Sequence, residues 1–423
     1  MQTRTPARSL ALVQENWFVA VVLVLFFAFS IQYTLKALEN RSAILRWRDQ
    51  LQHLADENIY ERYAYPNPPI MAMLLEPIAS LPPLVGSLIW FYAKAALALL
   101  AMYGVFRFVA TTKCPFPPWG KALTILLSLR PILGDLTHGN VNLLILCLVV
   151  AALVALKYRY DFTAGVVLAL AIACKVTPAL FIPYLLWKRA WKSLAGCALG
   201  LASFLFLIPG WYLGSERNWT LLQSWVNQMV TPYVVKGTVT TEHPNQSLPG
   251  LLFRLTTHSP SFLDETGAPE RYNTVVDLDP TTVRWIAKGA MLLFALMVVF
   301  ACRTPLAQRD DWRLAAECSI VVLGMLLFSE RTWKHHCVTL LLPFATICYY
   351  LATQGPGPWL RAYLWGSLLA AFLLMSATST TLFQSLDAKM AQVYGAYVWA
   401  YLVLVAVMVV LLRTPRTKVA KVA

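Results

Sequence analysis

Charge is scarce in this chain. Only 13% of its 423 residues are Asp, Glu, Lys or Arg, about half the share usual in soluble domains. That scarcity excludes an ordinary water-soluble domain. What remains is 58% apolar, with a mean hydropathy of +0.58. Apolar runs of about 18 residues recur, the length a helix needs to cross the hydrocarbon of a bilayer. Other absences narrow the chemistry. There is no glycine-rich phosphate loop, so no nucleotide fold is expected. There is no HExxH pair, and the eight cysteines show no metal spacing. Those at 147, 174, 197, 302, 318 and 348 lie within apolar runs and read as small hydrophobes in helices, with no disulfide framework. Neither a metal nor a cofactor is expected. No internal repeat and no low-complexity linker divides the chain, which reads as one domain, 1–423.

Basic residues outnumber acidic ones, for a net charge of +14. Much of the excess sits in short connections, at Lys157/Arg159, Lys188/Arg189/Lys192 and Arg303/Arg309/Arg313, and in the tail RTPRTKVAKVA. This is the pattern that orients helices in a membrane, with basic short loops inside. Nucleic acid is therefore not an expected partner, and membrane lipids are. The run Trp17 to Tyr33 lacks a small-residue cleavage site and reads as a first spanning helix.

Apolar periodicity predicts spanning helices near 17–35, 84–110, 122–134, 140–157, 163–175, 177–187, 190–213, 284–302, 314–328, 337–352, 359–382 and 393–412. The expected fold is an all-α polytopic membrane protein of about twelve spanning helices, within a range of ten to thirteen. A single helix over 163–187 would put Lys157 and Lys188 on opposite sides of the membrane. A break at Lys175-Val-Thr-Pro178 keeps all basic connections in the cytoplasm, and proline favours it. The expected location is the inner (plasma) membrane, with both termini cytoplasmic.

That topology gathers the remaining loops on the outer face. They are 36–68, continuing through a short proline-bounded helix to residue 82, then 134–139, the long 214–283 and 329–336, with Lys175 at a hairpin tip. The first contains AILRWRDQLQHLADE, whose apolar residues at 44, 45, 47, 51 and 54 suit an amphipathic helix on the membrane surface. Unusual polar residues cluster in the same loops. Asp49 and Glu39 supply carboxylates. SLRPILGDLTHGNVN holds Arg130, Asp135, His138, Asn140 and Asn142. EHPNQSLPGLLFRL holds Asn245, Gln246 and Arg254. SERTWKHH holds Glu330, Arg331, His335 and His336. Charged groups near apolar runs are costly, and so they suggest a site. The two histidines lie about 100° apart on a helix, so one cavity cannot use both equally; His336 is the better held.

In their order along the chain, IYERYAYPNPPIMAMLLEPIASLPP, HGNVNLLIL, ACKVTPALFIPYLLWKR, NQSLPGLLFRL and SERTWKHHCVTLLLP resemble glycosyltransferase family 87 of the GT-C superfamily. The likeness covers roughly residues 30 to 345. Where family members tend to carry an Asp after the first helix, this chain reads LENRSAIL, with Glu39. The resemblance implies transfer of a hexose, mannose foremost, from a polyprenyl-phosphate donor to a lipid or glycan acceptor on the outer face. It also implies a single displacement with inversion. A base must take the acceptor proton, a role open to Asp49, Glu39, His335 or His336. Cations must receive the departing phosphate: Lys175 with Arg130 or Arg331. His138, Asn140, Asn142, Asn245, Gln246, Arg254 and Glu330 would read sugar or acceptor. The competing class is a transporter or flippase of a lipid-linked sugar, which commonly shows repeats and midplane sites.

Overall fold

The structure is a computed structural model that describes residues 27–39, 41–63 and 65–415. Residues 17–26 of the expected first helix, and the tail beyond 415, lie outside the described residues. The chain begins with α1 (27–38), followed by three short turns, α2 (Ala43–Arg46), α3 (Arg48–Gln52) and α4 (Ile59–Tyr63). Next come α5 (Pro69–Ala79), α6 (Pro83–Val109), α7 (Pro118–His138), α8 (Asn142–Lys157) and α9 (Asp161–Cys174). A 3-10 turn at Thr177–Leu180 leads into α10 (Phe181–Trp187). Helix α11 (Trp191–Ala202) runs through a π-helical turn into α12 (Ile208–Leu213). The long connection is itself structured. It holds α13 (Ser215–Trp225), a π-helical stretch (Val226–Val235), α14 (Leu248–Thr256) and an antiparallel hairpin of β1 (Pro260–Leu263) and β2 (Pro269–Tyr272). The chain finishes with α15 (Pro280–Ala301), α16 (Trp312–Leu327), a 3-10 turn (Lys334–Leu340), α17 (Leu341–Thr353), α18 (Pro358–Ala377), α19 (Ser385–Val393) and α20 (Ala396–Arg413).

Among the described residues, six helices are long and apolar enough to cross a membrane: Pro83–Val109, Trp191–Leu213, Pro280–Ala301, Lys334–Thr353, Pro358–Ala377 and Ala396–Arg413. Shorter apolar helices stand between them, among them α8, α9 and the Thr177–Trp187 segment. Helices α6, α7, α15 and α18 all open on proline, which fits the first turn because its missing N–H has no partner there anyway. Every residue of α16 is buried, as a predominantly apolar helix at the centre of a bundle should be, and its Arg313 and Glu317 are both paired. Helix α15 buries only Val283 and Ala287, and so forms the periphery.

Polar contacts define the two ends of the bundle. At one end Lys157 pairs with Asp310, Arg309 with Asp161, and Lys188 with Glu317 at 2.5 Å. Arg313 joins them by donating to Leu412 O. The chain leaves this end at Asp161 and has returned by Lys188, so it doubles back at Lys175, where α9 ends in an extended residue. At the opposite end lie the first loop, the α7–α8 turn, the Lys175 tip and the 3-10 turn at 334–340.

Two expectations are revised. Helix α7 continues to His138 instead of stopping near 134. It ends at Gly139, whose φ of 80° is left-handed, and a Cβ there would lie 2.5 Å from Ser42 Oγ. The amphipathic stretch after residue 42 is two turns kinked at Trp47. Its apolar side, Ile44, Leu51 and Leu54, is buried in the protein core. Arg48 and Gln52 anchor it by donating to Ala79 O at the end of α5.

Helices α9 and α11 make the closest packing in the bundle. A Cβ on Gly165 would lie 1.9 Å from Ser193 O, and one on Gly196 would lie 2.2 Å from Phe162 O. Small residues allow such backbone approach, the main source of helix association in lipid. Gly165→Val should therefore force the pair apart and cost about 1–3 kcal/mol or more. A melting curve of the detergent-purified variant that matches the wild type would refute this.

Candidate active site

The site is built around the α7–α8 turn. Helix α6 reaches it from one side. Trp90 donates to Gly139 O at 2.9 Å, and one turn on, Lys94 donates to Asp135 O at 2.5 Å and Leu136 O at 3.3 Å. Lys94 Nζ also lies 3.5 Å from Asp135 Oδ2, and both side chains are fully buried. The other carboxylate oxygen, Oδ1, accepts from Asn142 Nδ2 at 2.9 Å. The Asn142 carbonyl oxygen then accepts from Lys175 Nζ at 2.6 Å. A chain of four side chains thus runs from the interior of α6 to the hairpin tip. Burial holds the Lys175 ammonium down at about 8, with Asp135 acting in the opposite direction.

A cleft opens beside that tip. It is lined by Asn142, Ile145, Lys175, Thr177, Met325, Leu326, Ser329, Thr332, His336 and Thr339. One wall is apolar, and none of these residues is acidic. The Trp333 backbone amide donates to His336 Nδ1 at 3.3 Å. A neutral ring with Nδ1 accepting carries its proton on Nε2 as a donor, and the ring also meets the Arg331 carbonyl.

Two further histidines adjoin His336, with His335 meeting its ring edge-on at a centroid distance of 4.7 Å. His138 and His335 stack with ring centroids 4.3 Å apart. Arg46 Nη2 lies 3.1 Å from His138 Nε2. The Asn140 carbonyl oxygen accepts from Val141 N at 2.7 Å, which turns its amide nitrogen toward His335 Nε2 at 3.2 Å. In neutral rings both Nε2 atoms are therefore acceptors already in use, with the proton on Nδ1.

Other expected site residues do not line the cleft. Arg130 donates to Met375 O and to Thr378 Oγ1, tying α7 to the end of α18. Glu39 pairs with Arg41 in solvent. Asp49 is exposed on α3, one turn from Arg46, and its carboxylate has no hydrogen-bond partner among the described residues. Arg331 sits 3.7 Å from Glu330 and over the Trp333 ring. Glu330 accepts from Thr240 at 3.0 Å, and burial pushes its carboxyl above the ordinary range. Asn245, Gln246 and Arg254 are fully engaged with backbone. Asn245 holds Thr240 O, Glu330 O and Thr332 N. Gln246 holds His243 O, Gln392 O and Tyr397 N. Arg254 donates to five carbonyls, those of Val393, Thr241, Glu242, Asn245 and Gln392. These three clamp the long connection onto the 329–333 turn and the end of α19, leaving no free group to read a sugar. Lys94, the buried partner of Asp135, was not expected from the sequence. Its signal was a lysine in the middle of WFYAKAALALL.

The model of glycosyltransferase family 87 matches residues 65–329, which contain the α7–α8 turn, the Lys175 tip and the Arg254 clamp. The chain belongs to glycosyltransferase family 87. Two curated relatives are each named as a polyprenol-phosphate-mannose-dependent alpha-(1-2)-phosphatidylinositol mannoside mannosyltransferase. The one from Mycolicibacterium smegmatis is 27% identical over 293 residues, 66% of this chain and 58% of the relative. The one from Mycobacterium tuberculosis is 28% identical over 215 residues, 50% of this chain and 42% of the relative. The family 87 chain thus spans about half the length of the curated relatives it matches.

The clamp can be tested apart from catalysis. Arg254→Met strands several buried carbonyls, each costing about 1–3 kcal/mol. The expected result is a large fall in melting temperature, with activity lost only in step with unfolding. A wild-type melting curve would mean that other groups hold the connection.

Proposed function

We propose that this family 87 chain moves a hexose, mannose foremost, from a polyprenyl-phosphate donor to a lipid or glycan acceptor on the outer face of the membrane. The observation that carries the reading is the cleft in which Lys175 and the donor nitrogen of His336 meet without an acidic neighbour in its lining. Two hydrogen-bond donors, one of them cationic, suit a phosphate monoester. The apolar wall of Ile145, Met325 and Leu326 suits the first isoprene units.

The reaction is a single displacement. The acceptor oxygen bonds to the anomeric carbon as the bond from that carbon to the phosphate oxygen breaks, inverting the centre. The polyprenyl phosphate leaves with the electron pair, and Lys175 and His336 stabilise its growing charge. The acceptor proton goes to a base. The accepting nitrogens of His138, His335 and His336 are already engaged, so a first-loop carboxylate is the better candidate. Asp49 is favoured over Glu39 because Arg46, one turn away, touches the histidine layer.

Membranes holding the chain should move label from polyprenyl-phosphate mannose into extractable lipid. Lys175→Ala should lower turnover by roughly 100- to 1,000-fold, the usual cost of losing one preorganised contact to developing charge. Wild-type turnover should fall as pH rises through about 8, where Lys175 loses its proton. Asp49→Asn should also abolish transfer. Unchanged turnover in Lys175→Ala would remove the cleft from the mechanism, and unchanged turnover in Asp49→Asn would remove that base.

Sidedness has its own test. In a cysteine-free background, Glu265→Cys in the hairpin should react with an impermeant maleimide on intact cells, and Lys192→Cys should not. The reverse pattern would put the cleft in the cytoplasm.

A further inference from the structure

We propose that Lys94 is a positioning residue for Lys175, acting through Asp135 and Asn142. The proposal rests on the reading of Lys175 as the ligand of the departing phosphate.

A lysine at a hairpin tip has four rotatable carbons and no intrinsic aim. Here its Nζ is held 2.6 Å from the carbonyl oxygen of Asn142. That hold depends on which way the Asn142 amide faces, since its two ends differ only as donor and acceptor. If the amide turned over, its NH2 would face the ammonium and repel it. Asp135 decides the direction. An ionised carboxylate only accepts, so Asn142 Nδ2 must face Asp135 Oδ1, as it does at 2.9 Å, and Oδ1 of Asn142 must face Lys175.

Asp135 and Lys94 have no exposed surface, and Asn142 is 4% exposed. A lone carboxylate at that depth would be strongly disfavoured, and the Lys94 ammonium supplies its counter-charge at 3.5 Å. The spare donors of Lys94 go to Leu136 O, which the end of α7 leaves open, and to Asp135 O, which also accepts from Gly139 N. Lys94 cannot meet a substrate. Its hydrogen-bonded route to the cleft runs along the sequence Lys94, Asp135, Asn142, Lys175.

A purely structural role for Lys94, as a cap on α7, would lower activity whatever residue stood at 175. A positioning role makes the network matter only while Lys175 is present. The experiment is a double-mutant cycle on the purified full chain with polyprenyl-phosphate mannose at saturation. Asp135→Asn keeps the shape but lets the amide turn over. It should lower kcat about 100-fold, the scale of a catalytic group misplaced by about an ångström. In a Lys175→Ala background the same change should move the residual kcat by less than about 2-fold, since the two residues act as a unit. Lys94→Met should behave alike. Asn142→Leu cuts the last link while leaving the Lys94–Asp135 pair in place, at the loss of one donor to Asp135 Oδ1, and it replaces Asp135→Asn if that variant does not purify. Equal losses in both backgrounds would overturn the network, while an inactive Lys175→Ala would leave the phosphate reading standing. Wild-type turnover in Lys175→Ala would overturn both.

Discussion

The ion pair between Lys94 and Asp135 is the constraint on which the rest of the site depends. Both charges are fully buried, in a bundle whose surroundings are lipid or apolar side chains. A buried pair of this kind does not itself stabilise a fold by much, because desolvation offsets the attraction. Removing one partner is what costs. The pair therefore acts as a registry device, fixing α6 against α7 at one axial position. Trp90, one turn away, repeats the grip on Gly139 O. With the end of α7 fixed, the first residues of α8 and the histidine layer follow.

The same carboxylate also serves α8. Val141, which precedes that helix, contributes no side-chain cap. Asp135 takes the role from another helix, accepting from the Asn142 side chain and from the Leu143 backbone amide. A negative group at a helix N-terminus is favourable against the dipole and satisfies a donor that would otherwise be orphaned in an apolar interior. Capping α8 and aiming Asn142 are thus one arrangement. A polar group with two structural duties has little freedom to drift, and that suits a residue two hydrogen bonds from the cleft.

Much of the fold was legible because membrane sequences are read by run length and charge asymmetry, and both are strong here. The break at Lys175 followed from keeping Lys157 and Lys188 on one side, and the chain does turn there. The kink at Trp47 and the extension of α7 to His138 were not legible. Each is set by a tertiary contact, Arg48 and Gln52 on Ala79 O and Gly139 beneath Ser42. The site was legible by composition more than by role. Polar residues near apolar runs stood out because they are costly there. Sequence alone could not separate those facing the cleft, such as Lys175 and His336, from those spent on backbone, such as Asn245, Gln246 and Arg254. Both kinds are buried polar residues in loops. Only the partner of each donor and acceptor tells them apart. Lys94 escaped notice because it lies in mid-helix, far in sequence from every loop, and meets Asp135 only through packing.

The division between clamps and cleft has an energetic logic. In an apolar interior each unsatisfied polar group is expensive, so a stable scaffold engages every donor it buries. Arg254 does so with five carbonyls. A binding site needs the opposite, donors held in place with valence to spare. Lys175 meets that need with one strong contact to Asn142, since an ammonium has three protons and the other two remain free for a ligand. His336 gives its lone pair to the Trp333 amide, and its ring also meets the Arg331 carbonyl. The spare protons of Lys175 lie where the cleft lining contains no acid, so an anion entering it meets no acidic competitor. Ligand binding then completes the hydrogen bonding of the site instead of exchanging one partner for another, and preorganised donors of that kind gain most when the ligand's charge grows during reaction.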